Sequence, residues 1–386
     1  MQVAGIICEY NPLHLGHKKQ IDFLKAQGYA VVCLISGNFV QRGHPAIFDK
    51  MRRAGAAVEC GADLVLELPL VSALSSAEGF AAGGVAVLSQ LCDTLCFGAE
   101  NADRDTLLTI ADALLSPQFS NALRPHLDAG LSFPAARTKA LAELGLQAEL
   151  LDTPNNILAI EYCKAIRSQG SALEILPIHR EGSYHAEHPD SENPSATALR
   201  NLLIQKEVWQ DYVPEAAISH FQNAAIHQLS FGEKAILYRL RTMTDAEFEA
   251  LPYSSEGLWR KLMHASRESQ SLEEIIAATK SKRYTRTRID RMILCAVLGL
   301  TASNLAAPVP YCRVLAFNDT GRAILRNTRK DGFFVNIGTD THHPYQQIEQ
   351  RATALYGLFA DAPESPEAEH TYRVYYKKNC CLEEQL

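Results

Sequence analysis

The chain has 386 residues, of which 47% are hydrophobic and 21% charged, and its formal net charge is −7. This length is enough for two domains, and the acidic balance excludes a surface that attracts nucleic acid as a whole, so any such site must be a local patch. The ten cysteines form no C-x-x-C pair, and neither a signal segment nor an apolar run of about 18 residues is found, so we expect free thiols, a cytoplasmic location and no membrane contact.

The start of the chain predicts a strand, a tight loop and a helix in succession. The apolar run Val3 to Cys8 predicts a buried strand, which Asn11-Pro12 ends, and a helical pattern continues from Lys18 to Gln27. His14-Leu15-Gly16-His17 lies between them, where the free amides and positive dipole end of a helix N-terminus favour phosphate. Gly16 has no Cβ, so a ligand can approach the backbone closely. The alternative is a pair of solvent-exposed histidines at an ordinary helix start.

Strands and helices alternate through the first half of the chain. Further strands are predicted at Ala30 to Ser36, Ala62 to Leu68, Thr94 to Gly98 and Leu173 to Ile178. Helices are predicted at Asp49 to Cys60, Ser75 to Gln90 and Pro154 to Gln169. Residues 101–150 form a predicted helical insertion. This alternation is typical of an α/β fold and predicts a Rossmann-like, doubly wound parallel sheet over residues 1–208.

Candidate ligand groups recur at the carboxyl ends of the later strands, where open α/β sheets bind their ligands. Gly98 ends one of these strands, and Arg180 follows another. Asn155 or Asn156 can cap the helix that begins at Pro154 and leave amides free for a nucleotide. Ser195, Thr197 and Arg200 begin the next helix, and hydroxyls with an arginine there can hold a polyphosphate. The alternatives are an ordinary N-cap for the hydroxyl residues and a surface cation for Arg180.

From about Trp209 the pattern becomes helical and amphipathic, which predicts a mainly α-helical second domain over residues 209–386. Residues 280–291 carry six basic residues, one acid and a tyrosine, a combination that suits phosphate contact and base stacking on RNA. The predicted RNA-binding residues are Lys282, Arg283, Tyr284, Arg286 and Arg288. The alternatives are a solvated face, or a second basic cluster at Arg322, Arg326, Arg329 and Lys330. We expect a loosely ordered tail after Asp361.

Two levels of resemblance follow from these motifs. The loop from His14 to His17 resembles the H-x-G-H signature of the nucleotidylyltransferase superfamily. Ser195 to Arg200 is similar to its I-S-S-T-x-x-R element, although Ala196 replaces the second serine. More specifically, the chain resembles the bacterial tRNA(Met) cytidine acetate ligase family through seven ordered segments: GIICEYNPLHLGH, ISGNFVQRG, LVLELP, FGAE, PNNILA, SATALR and KRYTRTRIDR.

The resemblance implies an enzyme that forms acetyl-adenylate from acetate and ATP and then acetylates N4 of the wobble cytidine of elongator tRNA(Met). It places the ATP site on Gly98, Asn155 and Arg180 and on the loop residues Ile7, Cys8, Glu9, Tyr10, Asn11, Pro12, Leu13, His14, Leu15, Gly16, His17, Lys18, Lys19 and Gln20. His14 and His17 are then the catalytic residues, at the α-phosphate and its bridging oxygen. Arg180, Ser195, Thr197 and Arg200 hold the departing pyrophosphate. Mg²⁺ is expected to accompany ATP, without a dedicated carboxylate cage.

Two other functions stay open on the residues alone. One is a nucleotidylyltransferase that makes a small-molecule cofactor with the same histidine loop, which leaves the basic segment unexplained. The other is a non-catalytic RNA-binding protein with a nucleotide fold, against which the intact His14 and His17 argue. The sequence also leaves open the oligomeric state and the choice of carboxylate and tRNA.

Overall fold

The structure is a computed structural model that describes residues 1–180, 194–328 and 332–378. The first elements in chain order are β1 (Val3–Cys8), α1 (Leu15–Ala26), β2 (Ala30–Ser36), β3 (Phe39–Val40), β4 (His44–Pro45), α2 (Lys50–Glu59), β5 (Leu64–Leu68), α3 (Leu70–Ala73), α4 (Ala77–Leu88) and β6 (Thr94–Ala99). They are followed by α5 (Arg104–Leu114), α6 (Pro117–Asp128), α7 (Phe133–Glu143), α8 (Pro154–Ser168), β7 (Glu174–His179) and α9 (Ala196–Gln205). A helical region continues with α10 (Glu215–Phe221), α11 (Glu233–Thr242), α12 (Asp245–Glu249), α13 (Leu258–Glu268), α14 (Leu272–Thr279), α15 (Arg286–Leu298) and α16 (Ala302–Ala306). The last elements are β8 (Cys312–Asn318), α17 (Asp319–Asn327), β9 (Phe334–Asn336), α18 (Pro344–Tyr356), α19 (Ala368–Thr371) and β10 (Tyr375–Lys377).

Eight strands form one sheet in the order β10-β8-β5-β2-β1-β6-β7, with β9 paired to β8. β1 pairs in parallel with β2 on one side and with β6 on the other. The chain moves outward from β1 through β2 to β5 and then crosses back to β6 and β7, so the winding reverses at β1. Ligands of such sheets bind at this switch point, outside the carboxyl ends of the strands. The predicted doubly wound α/β fold is confirmed.

Helices cover both faces of the sheet, which explains why its strands are apolar throughout. Successive side chains of a strand point to opposite faces. Ile7 and Val32 therefore lie in one core cluster with α4 and α8, whereas Ile6 and Val31 lie in another with α1 and α2. The predicted insertion is helical, and α5 of the insertion adds Leu107 to the α4–α8 side.

The end of the chain returns to this sheet. β8 pairs antiparallel with β5, and β9 and β10 pair in parallel with β8. The predicted division of the chain at residues 208 and 209 therefore does not follow the sheet, which takes three strands from the second part. Part of the predicted loose tail after Asp361 is regular, since it contains α19 and β10. Glu369 of α19 is 5% exposed and is held by Lys50, at 2.8 Å, and by Arg313, which anchors this segment.

The helical region has its own hydrophobic core, formed mainly by α11, α13, α14, α15 and α18. Phe39 of β3, with Leu70 and Leu74 at and after α3, packs into that core and joins it to the sheet. No helix in the described ranges is long and apolar enough to cross a membrane.

Candidate active site

The loop after β1 brings His14 and His17 to the N-terminus of α1. The chain turns through a cis Asn11–Pro12 peptide and enters the helix at its N-cap, His14. His14 Nδ1 accepts a hydrogen bond from Gly16 N at 3.1 Å, and His14 N donates to His17 Nδ1 at 3.3 Å. The two rings stack with centroids 3.7 Å apart. This reciprocal capping box fixes both imidazoles at the switch point of the sheet.

Both histidines are neutral at pH 7, and their hydrogen bonds define where the proton lies. Burial, with the charges of Arg180 and Arg200, lowers the pKa of His14 to about 3. Burial, with His14 and Arg180, holds the pKa of His17 well below its usual range. Because each Nδ1 accepts a hydrogen bond, each neutral ring carries its proton on Nε2. His14 is 3% exposed, and its Nε2 has no hydrogen-bond partner among the described residues, as expected of a donor reserved for a ligand.

Arg180 directly follows β7, and its side chain contacts α8. Arg180 N donates to Ala99 O at 2.9 Å, and Arg180 Nη1 donates to Asn155 Oδ1 at 3.1 Å. Gly98 lies beneath it: a Cβ there would be 3.8 Å from Arg180 Cβ, an ordinary contact. Asn156 is 2% exposed and accepts from Asn101 N at 2.9 Å, so it holds the loop after β6. Of the two asparagines, Asn155 is the one that touches a predicted site residue.

Helix α9 adds the second arginine. Arg200 Nη1 donates to Asn11 O at 2.8 Å, and Arg200 Nη2 donates to Thr197 Oγ1 at 3.0 Å. Ser195 is the N-cap, and its Oγ accepts from Ala198 N at 3.0 Å. Ser195 is thus an N-cap, the alternative role that the sequence left open for it. Its contact with phosphate stays a prediction. The helix brings Arg200 to the loop that carries the histidines.

The other residues of the predicted ATP loop divide into two groups. Those with buried side chains form the floor of the loop: Ile7, Tyr10, Asn11, Pro12 and Leu13. The rest are half-buried or exposed, at the end of β1 or on α1: Cys8, Glu9, Leu15, Gly16, Lys18, Lys19 and Gln20. Several of them anchor the loop, since Asn11 Oδ1 accepts from Ile47 N at 2.7 Å and Glu9 Oε1 accepts from Gln41 N at 2.8 Å. Side chains of both groups therefore hold the loop in shape, while the contact of these residues with ATP stays a prediction.

Arg53, which was not among the predicted site residues, holds these loops together. Arg53 of α2 is completely buried, and its guanidinium donates to Phe48 O at 2.8 Å, to Glu9 O at 2.7 Å and to Ser36 O at 3.0 Å. It thereby joins the loops that follow β1 and β2. The available signal was an arginine one turn after Lys50, on the helix face that also carries Ala54 and Ala57.

The predicted RNA patch is divided by the structure. Lys282 and Arg283 are exposed, and no ion pair of either is found in the described part of the chain. Arg286 is paired with Glu273 at 2.6 Å, and Arg288 donates to Tyr253 O at 3.0 Å. Tyr284, which was predicted to stack on RNA bases, is buried.

The Tyr284 ring belongs to the helical core rather than to the surface. Its side chain is 8% exposed, and its hydroxyl donates to Glu256 O at 2.6 Å. A base cannot stack on a ring that is covered in this way. In the alternative cluster, Arg322 and Arg326 are exposed on α17, and Arg329 and Lys330 lie outside the described residues.

The basic segment is packed against the loop after β2. A Cβ on Gly43, whose φ is +82°, would lie 2.5 Å from the backbone nitrogen of Arg291 in α15. Arg291 Nη1 donates to Gln41 O at 3.3 Å, and Gln41 N in turn donates to Glu9. The helix that follows Lys282 and Arg283 is therefore in contact with the loop next to the histidine site. Within the described residues, no group of three His, Cys, Asp or Glu side chains could hold a metal ion.

This fold and site define a nucleotidyl transferase of the HIGH type: the model of the HIGH Nucleotidyl Transferase family matches residues 1–371. The chain is 39% identical over 352 residues to the tRNA(Met) cytidine acetate ligase of Clostridium novyi, covering 86% of this chain and 88% of that protein. It is 34% identical over 422 residues to the enzyme of the same name from Alkaliphilus metalliredigens, covering 98% and 99%. The chain belongs to the tRNA(Met) cytidine acetate ligase family.

Two solved structures are similar over nearly the whole chain. Apo TmcAL of Thermotoga maritima has a TM-score of 0.91 and 28% identity, with 98% of this chain and 100% of that chain covered. The same protein bound with alpha-thio ATP has a TM-score of 0.87 and 29% identity, with the same coverage.

Proposed function

We propose that this chain is an ATP-dependent ligase that activates acetate as acetyl-adenylate and transfers the acetyl group to N4 of the wobble cytidine of elongator tRNA(Met). The observation that supports it most directly is that His14 and His17 are fixed at one helix N-terminus, where Arg200 bonds the same loop and the charge of Arg180 acts on both imidazoles. The names of the relatives and the ATP analogue bound to the T. maritima protein support the substrates. A cytoplasmic location follows from the tRNA substrate and is part of the proposal.

Activation of acetate is a displacement at the α-phosphate. A carboxylate oxygen of acetate forms a bond to the α-phosphorus, and the bond to the bridging oxygen breaks as pyrophosphate leaves with its electron pair. Catalysis of such a step consists of positioning and of stabilising the charge that develops on oxygen. The neutral imidazoles of His14 and His17 donate from Nε2 to the α-phosphate and the bridging oxygen. Arg180 and Arg200 neutralise the phosphates that depart.

Transfer completes the reaction without a covalent enzyme intermediate. The N4 amine of cytidine attacks the acetyl carbonyl, AMP leaves, and the amine loses one proton. Lys282 and Arg283 are the predicted residues best placed to hold the tRNA backbone, because both are exposed, whereas Arg286 is already paired with Glu273. Mg²⁺ would enter with ATP and would neutralise part of the charge of its phosphates.

Pyrophosphate exchange into ATP, measured with a panel of carboxylates and without tRNA, tests the first step. We expect exchange that depends on acetate and is slower with octanoate, because the residues predicted to meet ATP at the helix N-terminus, His14, Gly16 and His17, are small or polar. Exchange that is faster with octanoate would overturn the choice of acid. Exchange that needs no carboxylate would point instead to a nucleotidylyltransferase that makes a small-molecule cofactor. No exchange with any carboxylate would point to a non-catalytic protein.

A further inference from the structure

Glu100 carries a carboxylate that the mechanism above does not use. It follows β6 directly and lies at the carboxyl edge of the sheet, beside the site. Its Oε1 accepts a hydrogen bond from Asn155 Nδ2 at 2.7 Å, and its Oε2 accepts one from Asn156 N at 2.8 Å. Helix α8 receives no side-chain hydrogen bond from its own N-cap, Thr153. Glu100 therefore caps α8 from outside the helix and holds Asn155 at the same time.

The contact with Asn155 determines which way its amide points. A carboxylate only accepts hydrogen bonds, so the Asn155 NH₂ group must face Glu100 and the Asn155 oxygen must face the opposite way. On that side, Asn155 Oδ1 accepts from Arg180 Nη1 at 3.1 Å. A flipped amide would present its NH₂ group to a guanidinium, which has no acceptor. The three groups thus form a chain, Glu100–Asn155–Arg180, in which each donor meets an acceptor.

We infer that Glu100 is a positioning residue for ATP, which orients the Asn155 amide and through it the Arg180 guanidinium at the triphosphate. The inference rests on the proposed function, because it requires phosphate as the ligand of Arg180. Arg180 is close enough to His14 and His17 that its charge contributes to lowering both of their pKa values. A guanidinium held at that place acts on the same phosphates as the two imidazoles.

Glu100 is ionised when the enzyme works. Partial burial raises the pKa of Glu100, but the hydrogen bonds from Asn155 and from the α8 backbone outweigh burial and lower the pKa overall. Its negative charge polarises the amide that it touches, which strengthens the hydrogen bond between Asn155 and Arg180. Glu100→Gln preserves the size of the side chain but removes its charge. Because a glutamine amide both donates and accepts hydrogen bonds, it no longer forces the Asn155 NH₂ group to face position 100.

The test is direct calorimetric binding of ATP to the full chain, with KM for ATP and kcat from acetate-dependent pyrophosphate exchange. We expect E100Q to weaken ATP binding by about tenfold or more, the size of one lost hydrogen bond to a charged group, and to raise KM more than it lowers kcat. Asp103→Asn is the matched control. Asp103 lies in the same loop and accepts from Thr106 N at 2.7 Å as the N-cap of α5, and it is not a partner of Asn155 or Arg180. We expect D103N to bind ATP as the wild type does.

A double-mutant cycle with Arg180→Ala separates positioning from general stability. If Glu100 acts through Arg180, E100Q should weaken ATP binding much less in the R180A background than in the wild type. If R180A weakens binding but the two effects multiply, the chain of contacts is refuted while the proposed function stands. If the wild type binds no ATP, both fail together.

Glu100→Asp keeps the test possible if E100Q does not fold. It retains the charge but is one methylene shorter, so it cannot reach both donors, and we expect weaker ATP binding here as well. Wild-type ATP affinity of a folded E100D or E100Q protein would show that Glu100 only caps α8.

Discussion

His14 has two roles in the account above, capping α1 and donating to the α-phosphate, and substitution can separate them. The chain supplies its own control. His343 is the N-cap of α18, and its Nδ1 accepts a hydrogen bond from Tyr345 N at 3.1 Å. His14 Nδ1 accepts the equivalent bond from Gly16 N, also two residues later in the chain. His343 is exposed and is not part of the histidine site.

Asparagine is a strong N-cap residue, so His14→Asn and His343→Asn both keep the cap, but only the first removes an imidazole from the site. Because asparagine preserves the capping hydrogen bond, we expect the free energy of unfolding of both variants to stay within about 1 kcal/mol of the wild type. Loss of one donor to an oxyanion costs about 10²–10³ in rate, or roughly 2.7–4 kcal/mol of transition-state stabilisation. His14→Asn should therefore lose acetate-dependent exchange by that factor, and His343→Asn should not.

The assay is pyrophosphate exchange at saturating ATP and acetate, with urea unfolding of the same preparations. Folded His14→Asn protein with exchange within about threefold of the wild type would show that the imidazole serves only as a cap, because such a change is less than about 1 kcal/mol. An equal loss in His343→Asn would attribute the effect to the stability of the protein instead.

Three further predictions follow from the same structure. His17→Ala should cut acetyl-adenylate formation by about 10²–10³ while ATP affinity changes much less, and near-normal turnover would remove His17 from the mechanism. The folded pKa of His14, about 3, lies below its unfolded value, so its stabilising contribution is complete above about pH 6.5 and is lost as the pH falls toward 3. Urea unfolding should show the wild type losing about 1 kcal/mol more than His14→Asn between about pH 7.5 and pH 5.5, and parallel profiles would contradict the low pKa. Replacing Lys282 and Arg283 with Ala should weaken tRNA binding and flatten its salt dependence without changing tRNA-free exchange, whereas wild-type binding by that variant and loss on replacing Arg322 and Arg326 would move the RNA surface to α17.

Local patterns predicted the sheet well because its strands are covered on both faces and their sequences are apolar throughout. The strand over Val3–Cys8 and the strand over Ala30–Ser36 have the predicted bounds. The return of β8, β9 and β10 was not predictable in the same way. Whether Cys312–Asn318 joins the first sheet depends on pairing with β5, some 245 residues earlier, and local periodicity carries no information about such a distant partner.

The site was predictable in its motifs but not in its connections. The position of His14 and His17 follows from a strand, a turn and a helix N-terminus, which are local features. The count of basic residues over 280–291 could not separate free bases from paired ones, so Arg286 was grouped with Lys282 although Glu273 pairs with it. Tyr284 was grouped with them too, although its hydroxyl is bonded to Glu256 O in the helical region. For the same reason the roles of Arg53 and Glu100 emerge only from the contacts made in three dimensions.

The most direct test of the proposed function is to incubate the protein with isotope-labelled acetate, ATP and tRNA(Met) and to follow the label by mass spectrometry. The labelled oligonucleotide of a nuclease digest gives the position, and its digestion to nucleosides identifies the labelled nucleoside. We expect N4-acetylcytidine at the wobble position, formed only when ATP is present and absent from the His14→Asn reaction. Unlabelled tRNA from wild-type enzyme that releases pyrophosphate from ATP and acetate would contradict it, because the adenylate would then have another acceptor.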